Sequence, residues 1–410
     1  MAMDFSFQRE LPKGFIFEAV YVGRLGRHLL QQLDLAAPLD LVDKGSGMDY
    51  YTAATLLDKQ VDAGATTVSP IAYWENMFPA AAQNGASATQ NIYTYIFQSQ
   101  RGNEVVVPFL LDVICSVPGL ANPCGTQTQR FWPYQYSSLY AWASDGTSNY
   151  NAGQFMLRHA VSHGLQMDFS YTFSKSLDMG SDAERTNSAG NFTTFSEIID
   201  PWNPQKNYGP SDFDVRHLIT SNWTYVLPFG RAQQFGSSSG RLVDAVIGGW
   251  QLSGLARWTS GLPFSIQDGV GWTTNWDFRS NMVQPGPIKI HKHLNANGAP
   301  TVFADPAGLQ NGVASGYPWR LPYAGEAGNR NNFRGDGFFG VDTSLAKTWH
   351  LWSEHQLRFA WDVFNMTNSV RFDTNPNTSL DVLSTDGSMG VYSRTLTTPR
   401  VQQFSLRYTF

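Results

Sequence analysis

The sequence predicts an all-β fold, an antiparallel transmembrane β-barrel, on three observations. Apolar and polar residues alternate with a period of two, which puts one kind of side chain on each face of a strand. Most alternating stretches run to about ten residues, the length a membrane-spanning strand needs and nearly twice that of an ordinary strand. The connections alternate short and long along the chain, as a barrel with short periplasmic turns and long extracellular loops requires.

The elements justify this in order. Weaker alternation occupies 4–10 and 14–23, joined by a tight Leu-Pro-Lys turn, and 149–160 follows a very long segment. The clearest strand places Leu165, Met167, Phe169, Tyr171 and Phe173 on one face and Gln166, Asp168, Ser170, Thr172 and Ser174 on the other. Next, Ile219, Ser221, Trp223, Tyr225 and Leu227 oppose Thr220, Asn222 and Thr224. Weaker patterns at 246–262 and 338–349 precede Leu357, Phe359, Trp361 and Val363, which oppose Arg358, Ala360 and Asp362. The last strand sets Phe404, Leu406, Tyr408 and Phe410 against Ser405, Arg407 and Thr409. Helical patterning is confined to one short amphipathic stretch at 49–63.

Composition agrees. The 410 residues carry a formal net charge of −5 and no basic stripe, so no nucleic-acid partner is expected. Charged residues are 15% and aromatics 14%, with 13 Trp, 17 Tyr and 27 Phe. Few charges with many aromatics and turn formers mark a β-rich chain with an apolar surface. No run reaches the ~18 apolar residues of a membrane helix, and VVVPFLLDVIC is broken by Pro108 and Asp112. The start, MAMDFSFQRE, has no basic head, apolar stretch or cleavage site. If the last strand ends in the periplasm, counting back through nine strands starts the first one outside. Barrels of this class start in the periplasm with an even count, so residues before Met1 are expected to be missing.

Five segments carry a family resemblance: SNYNAGQFMLRHAVSHGLQMDFSYTFSKSLD, VRHLITSNWTYVLPFG, GGWQLSGLARWTSGLPFSI, NFRGDGFFGVDTSLAKTW and LRFAWDVFNMTN. In this order, ending on a terminal aromatic, they resemble the barrel of TonB-dependent outer-membrane receptors. The nearest group is the Oar-like receptors, which carry a carboxypeptidase-regulatory-like domain. The resemblance implies that residues 1–410 are the C-terminal segment of a larger, 22-stranded barrel, with 24–148 a long extracellular loop region and the plug domain absent. It implies TonB-energised uptake of a bulky nutrient, with the TonB complex engaged through the missing N-terminal region. The chain alone is not expected to transport. A final strand of this kind is read by the barrel-assembly machinery, here through Gln403, Ser405, Tyr408 and Phe410, with Ser405 where glycine is usual.

Candidate chemistry is sparse. Cys115 and Cys124, the only cysteines, lie in a surface loop and read as a disulfide of an oxidising compartment. His291 and His293 lack nearby carboxylates and read as a solvated loop. Asp212 and Asp214 suit either a cation such as Ca2+ or, preferably, a hydrogen-bonded turn before Arg216. Trp349, Trp352, Tyr408 and Phe410 suit a periplasmic aromatic girdle, and Trp258 and Phe264 an outer one. Loop aromatics Trp272, Trp276, Tyr317 and Trp319 offer stacking platforms for a ligand, or anchors that pack the loop. The polar rows, including Gln166, Asp168, Arg358, Asp362 and Arg407, are expected to face the lumen. There is no GxSxG, HExxH or phosphate-binding glycine loop, so neither an enzyme nor a cofactor is expected. The expected location is the bacterial outer membrane, with its lipid and an unknown nutrient ligand as partners. The alternatives are a passive porin or adhesin barrel, or a soluble all-β carbohydrate-binding module.

Overall fold

The computed structural model describes residues 1–410 except 104, 127–129, 133–134, 137, 163, 182–197, 232, 273–274, 285–289, 291–292, 295–296, 304–319, 353, 374–389 and 393; residues 161–162 and 267–281 are described by their backbone alone. Nine antiparallel strands form one wall in chain order. They are β1 (Ala2–Leu11), β2 (Phe15–Asp34), β3 (Tyr140–Ser162), β4 (Leu165–Asp178), β5 (His217–Val226), β6 (Trp250–Thr259), β7 (Phe339–His350), β8 (Gln356–Phe364) and β9 (Val401–Thr409). Each pairs only with its sequence neighbours, save that Gly209–Pro210 adds a short ladder to the end of β4. Among the described residues β1 and β9 are open edges, so the wall is not closed. The first turn is tight because Lys13 (φ 66°) and Gly14 (φ 78°) both take the left-handed conformation.

Register turns the period-two pattern into continuous rows. One row across the sheet reads Phe7, Ala19, Phe155, Tyr171, Ile219, Trp258, Phe339. A second reads Leu165, Tyr225, Leu252, Leu345, Trp361, Phe404. Between them, on the opposite face, runs a wholly polar row: Gln166, Thr224, Ser253, Ser344, Asp362, Gln403. A one-residue slip would exchange the two faces, so the alternation also pins the register. Among the described residues no second sheet or helical layer covers the apolar face above its foot. Phe155 and Phe173, on interior strands, remain 42% and 51% exposed. Two of the three apolar clusters of buried residues lie in the long connections, beyond the wall, and the third joins Leu33, near the outer end of β2, to Met179 and Ile198.

The four longest connections, β2–β3, β4–β5, β6–β7 and β8–β9, leave from one end of the wall, and the other end carries three tight turns and the intermediate β5–β6 connection. Strands β2 and β3 are longer than 14–23 and 149–160 suggested, at 20 and 23 residues. The loop expected at 24–148 therefore shrinks to 35–139. The ladder breaks register between Gly26 and Gln31, where the hairpin projects past its neighbours. It carries a lobe built on α1 (Tyr50–Asp62), α2 (Ala72–Met77), α3 (Ala88–Ile92, continuing to Gln100) and α4 (Val106–Phe109). Of these only α1 was legible, and Asp49 caps it by accepting from the Thr52 N–H at 2.6 Å. The lobe is a small globular core: Tyr50, Tyr73, Trp74, Phe78, Phe97 and Phe131 are fully buried against one another.

Candidate functional site

The candidate site is the polar face of the wall and the looped rim above it. A concavity of about 360 Å3 lies on β4–β8, lined among others by Gln166, Asn222, Thr224, Ser253, Asp342 and Asp362. Charge on this face is of both signs. Arg158 lies 3.9 Å from Asp168 across β3 and β4, while Arg358 and Arg407 stand directly opposite one another on β8 and β9. Among the described residues neither of those two arginines has an ion-pair partner.

At the rim, a short segment late in the β6–β7 connection ties the strand ends together. Arg330 donates through Nη1 to the Asp178 carbonyl at 3.0 Å, to Asp178 Oδ1 at 2.9 Å and to the Asn207 carbonyl at 3.2 Å. Its Nη2 reaches Ser181 Oγ at 3.0 Å and Asp212 Oδ1 at 3.2 Å. Asn331 Nδ2 also donates to Asp212 Oδ1, at 2.6 Å. Asp214 accepts from the Ser176 N–H at 2.6 Å and from Arg334. Both acidic residues of the SDFDVRH segment are thus held by arginine, asparagine and backbone donors. Backbones approach so closely here that a Cβ on Gly261 would lie 1.9 Å from the Gly335 carbonyl oxygen.

A second tie joins the lobe to residues 320–326. Arg101 donates to Asp62 Oδ1 at 2.8 Å and to the Pro322 carbonyl at 2.9 Å. The Tyr323 ring is faced by Arg320 (4.1 Å), Arg101 (5.1 Å) and Lys59 (5.4 Å). Burial pushes the Glu326 carboxyl up, but hydrogen bonds from Arg320 and the Tyr323 N–H, together with the charges of Arg320 and Arg101, outweigh this and hold it below its ordinary value. Burial raises Asp40 to about 6, although the Tyr51 N–H donates to it at 3.0 Å. Asp43, a buried residue, is held well below its ordinary value by donors from Ser46, Asn76 and Gly45. Inside the lobe, buried Asp112 accepts from three successive backbone N–H groups, those of Arg130, Phe131 and Trp132. In the sequence Asp112 showed only as a break in an apolar run.

Cys115 and Cys124 are joined in a disulfide beside Asp112, with Cα atoms 5.4 Å apart, Cys115 half-buried and Cys124 buried. Gln403 and Ser405 lie on the polar face of β9, opposite Asp362 and Ala360, and Tyr408 on the apolar face. Tyr408 Oη and His355 Nδ1 are 2.6 Å apart, and Phe410 packs beside Tyr408. Trp349 and Trp352 sit at the short-turn end and Trp258 in the upper apolar row. Phe264 departs from its expected girdle position: it is buried in a loop core, 5.6 Å from the Phe333 ring, because its short strand pairs with Phe333–Arg334 and not with the wall. Trp272 and Trp276 fall in a hairpin of Gln267–Trp272 and Asn275–Asn281, described by its backbone alone. Tyr317, Trp319 and His291 lie outside the described residues, while His293 pairs with Thr301 in a two-residue ladder.

A family model described as an outer membrane beta barrel domain matches residues 1–403. No curated protein matches. Among solved structures, the outer membrane transporter YddB from Escherichia coli is similar at 12% identity and a TM-score of 0.36, covering 99% of this chain and 31% of that one. The chain thus spans less than a third of the length of that transporter. With an apolar face left bare, a polar face opposite and a family match over nearly its whole length, this chain belongs to the outer membrane beta barrel domain family.

Proposed function

We propose that the chain is part of the wall of a TonB-dependent, Oar-like receptor in the bacterial outer membrane, taking up a bulky nutrient at the expense of the inner-membrane proton gradient. The observation that carries this is the division of the wall: bare aromatic rows on one face and continuous polar rows on the other. Lipid suits the first and a water-filled or occupied lumen the second, while the strand ladders pair the backbone groups that a bilayer cannot satisfy. Both edge strands run toward the short-turn end, so antiparallel closure takes an odd number of further strands, as a 22-stranded wall would supply. Arg358 and Arg407, like charges directly across a ladder, favour an acidic occupant of the lumen, which a plug would provide. The rim loops supply the ligand-capturing surface, and the barrel-assembly machinery reads β9.

Uptake measurements on cells test this reading. Deleting the gene is expected to abolish accumulation of one member of a panel of ferric chelates, oligosaccharides, peptides and cobalamin-like cofactors. A protonophore or loss of TonB should do the same. Accumulation that needs the gene but survives the protonophore would make the barrel a passive pore.

A further inference from the structure

The connection between β5 and β6 lies at the short-turn end, yet it is 23 residues long and carries a helix, α5 (Arg241–Ile247). The helix is amphipathic the wrong way round for a soluble protein. Its one acidic residue, Asp244, turns inward and accepts from the Arg231 N–H. Leu242, Val243 and Val246 share about a third of the helical circumference and point outward, with Leu242 86% and Val246 68% exposed. An exposed apolar arc over a satisfied polar face marks an element whose solvent is not water.

Its attachment shows which solvent. Trp250 and Trp349 stand on the apolar face of β6 and β7, and their indole N–H groups donate to the Val246 and Ala245 carbonyls, each at 2.8 Å. Lys347, on the same face, is buried between these two indoles and donates to the Gly248 carbonyl. The helix therefore sits on the outer side of the wall, at the foot of the aromatic rows. Its apolar arc continues the surface already assigned to lipid. The exposed Arg231 and Arg241 flank it with positive charge.

We infer that α5 is an interfacial anchor, resting in the headgroup region of the periplasmic leaflet with Leu242, Val243 and Val246 among the upper acyl carbons and Arg231 and Arg241 against anionic phospholipid headgroups. This rests on the barrel reading above, and one experiment separates the two. The native cysteines are joined, so an introduced thiol is the only free one for an environment-sensitive fluorophore. The full protein is labelled at Val246→Cys or, in the middle of the wall, at Phe155→Cys, and reconstituted in phosphatidylethanolamine–phosphatidylglycerol vesicles. The V246C label is expected to be blue-shifted and quenched more strongly by lipids spin-labelled near the carbonyl than by those labelled deep in the chain. The F155C label should show the reverse order. Replacing phosphatidylglycerol by phosphatidylcholine is expected to lower the V246C quenching about twofold. A lipid-quenched F155C with a V246C label reached only by aqueous iodide overturns the anchor and leaves the barrel standing. A water-exposed F155C overturns the barrel and the anchor with it. Quenching at V246C indifferent to lipid charge removes the headgroup contact.

Discussion

At the scale of residues, the rim is held by few side chains with many partners each. The Arg330 side chain is 9% exposed and that of Asp178 8%, so truncating the arginine strands a buried carboxylate. Arg330→Ala is expected to destabilise the rim by roughly 3–5 kcal/mol, and Arg330→Lys to recover only part, because an ammonium cannot reproduce a fork with five acceptors. Urea midpoints of rim-loop proteolysis would check both. Gly261→Ala forces a methyl into the Gly335 carbonyl and is expected to cost about 1–3 kcal/mol by the same assay. Asp212 and Asp214 show how far single residues were legible. Their spacing beside Arg216 suggested a hydrogen-bonded turn. Their side-chain donors come from about 120 positions downstream, a distance over which no local pattern carries information.

At the scale of elements, the strands were legible and the lobe was not. Period-two alternation is a local property, so Leu165–Phe173 declared its faces directly, and nine candidate strands became nine wall strands. The outer halves of β2 and β3 lose that alternation, because they project past the neighbouring strands and one face packs on loops; Leu33, for example, is buried against Met179 and Ile198. Of the other lobe helices, α2 and α4 are too short for a 3.6-residue period to show, and α3 widens to a π-helix over Tyr93–Phe97, which breaks that period. The lobe's stability invites two tests. Cys115→Ser with Cys124→Ser closes no loop in the unfolded chain and is expected to cost the lobe about 2–3 kcal/mol, leaving the wall unaffected. Asp40 ordinarily titrates near 3.8 and is raised to about 6 in the lobe, so the folded form binds more protons than the unfolded between those values. Lobe stability therefore falls as pH rises from about 4 to 6 and levels off above. The depressed Asp43 and Glu326 oppose this only below their ordinary values of 3.8 and 4.5. The denaturation midpoint of the lobe should be higher at pH 5 than at pH 7, and Asp40→Asn should erase the difference.

At the scale of the whole molecule, the open edges dominate. Residues 1–410 expressed alone present two unpaired strands flanked by bare aromatic rows, and they are expected to aggregate. A heat-modifiable, protease-resistant monomer in detergent would contradict this. The sequence by itself determined the strand class, the count of wall strands, their two faces and the side on which the long loops gather. All of these follow from alternation and spacing between near neighbours. The tertiary structure alone decided that the apolar face stays uncovered, that an arginine clasp joins loops far apart in the chain, that a helical lobe stands on the longest hairpin and that α5 turns its greasy arc outward. Each of these depends on which distant segments meet, and the free energy of such meetings resides in packing and desolvation, not in any short stretch of chain.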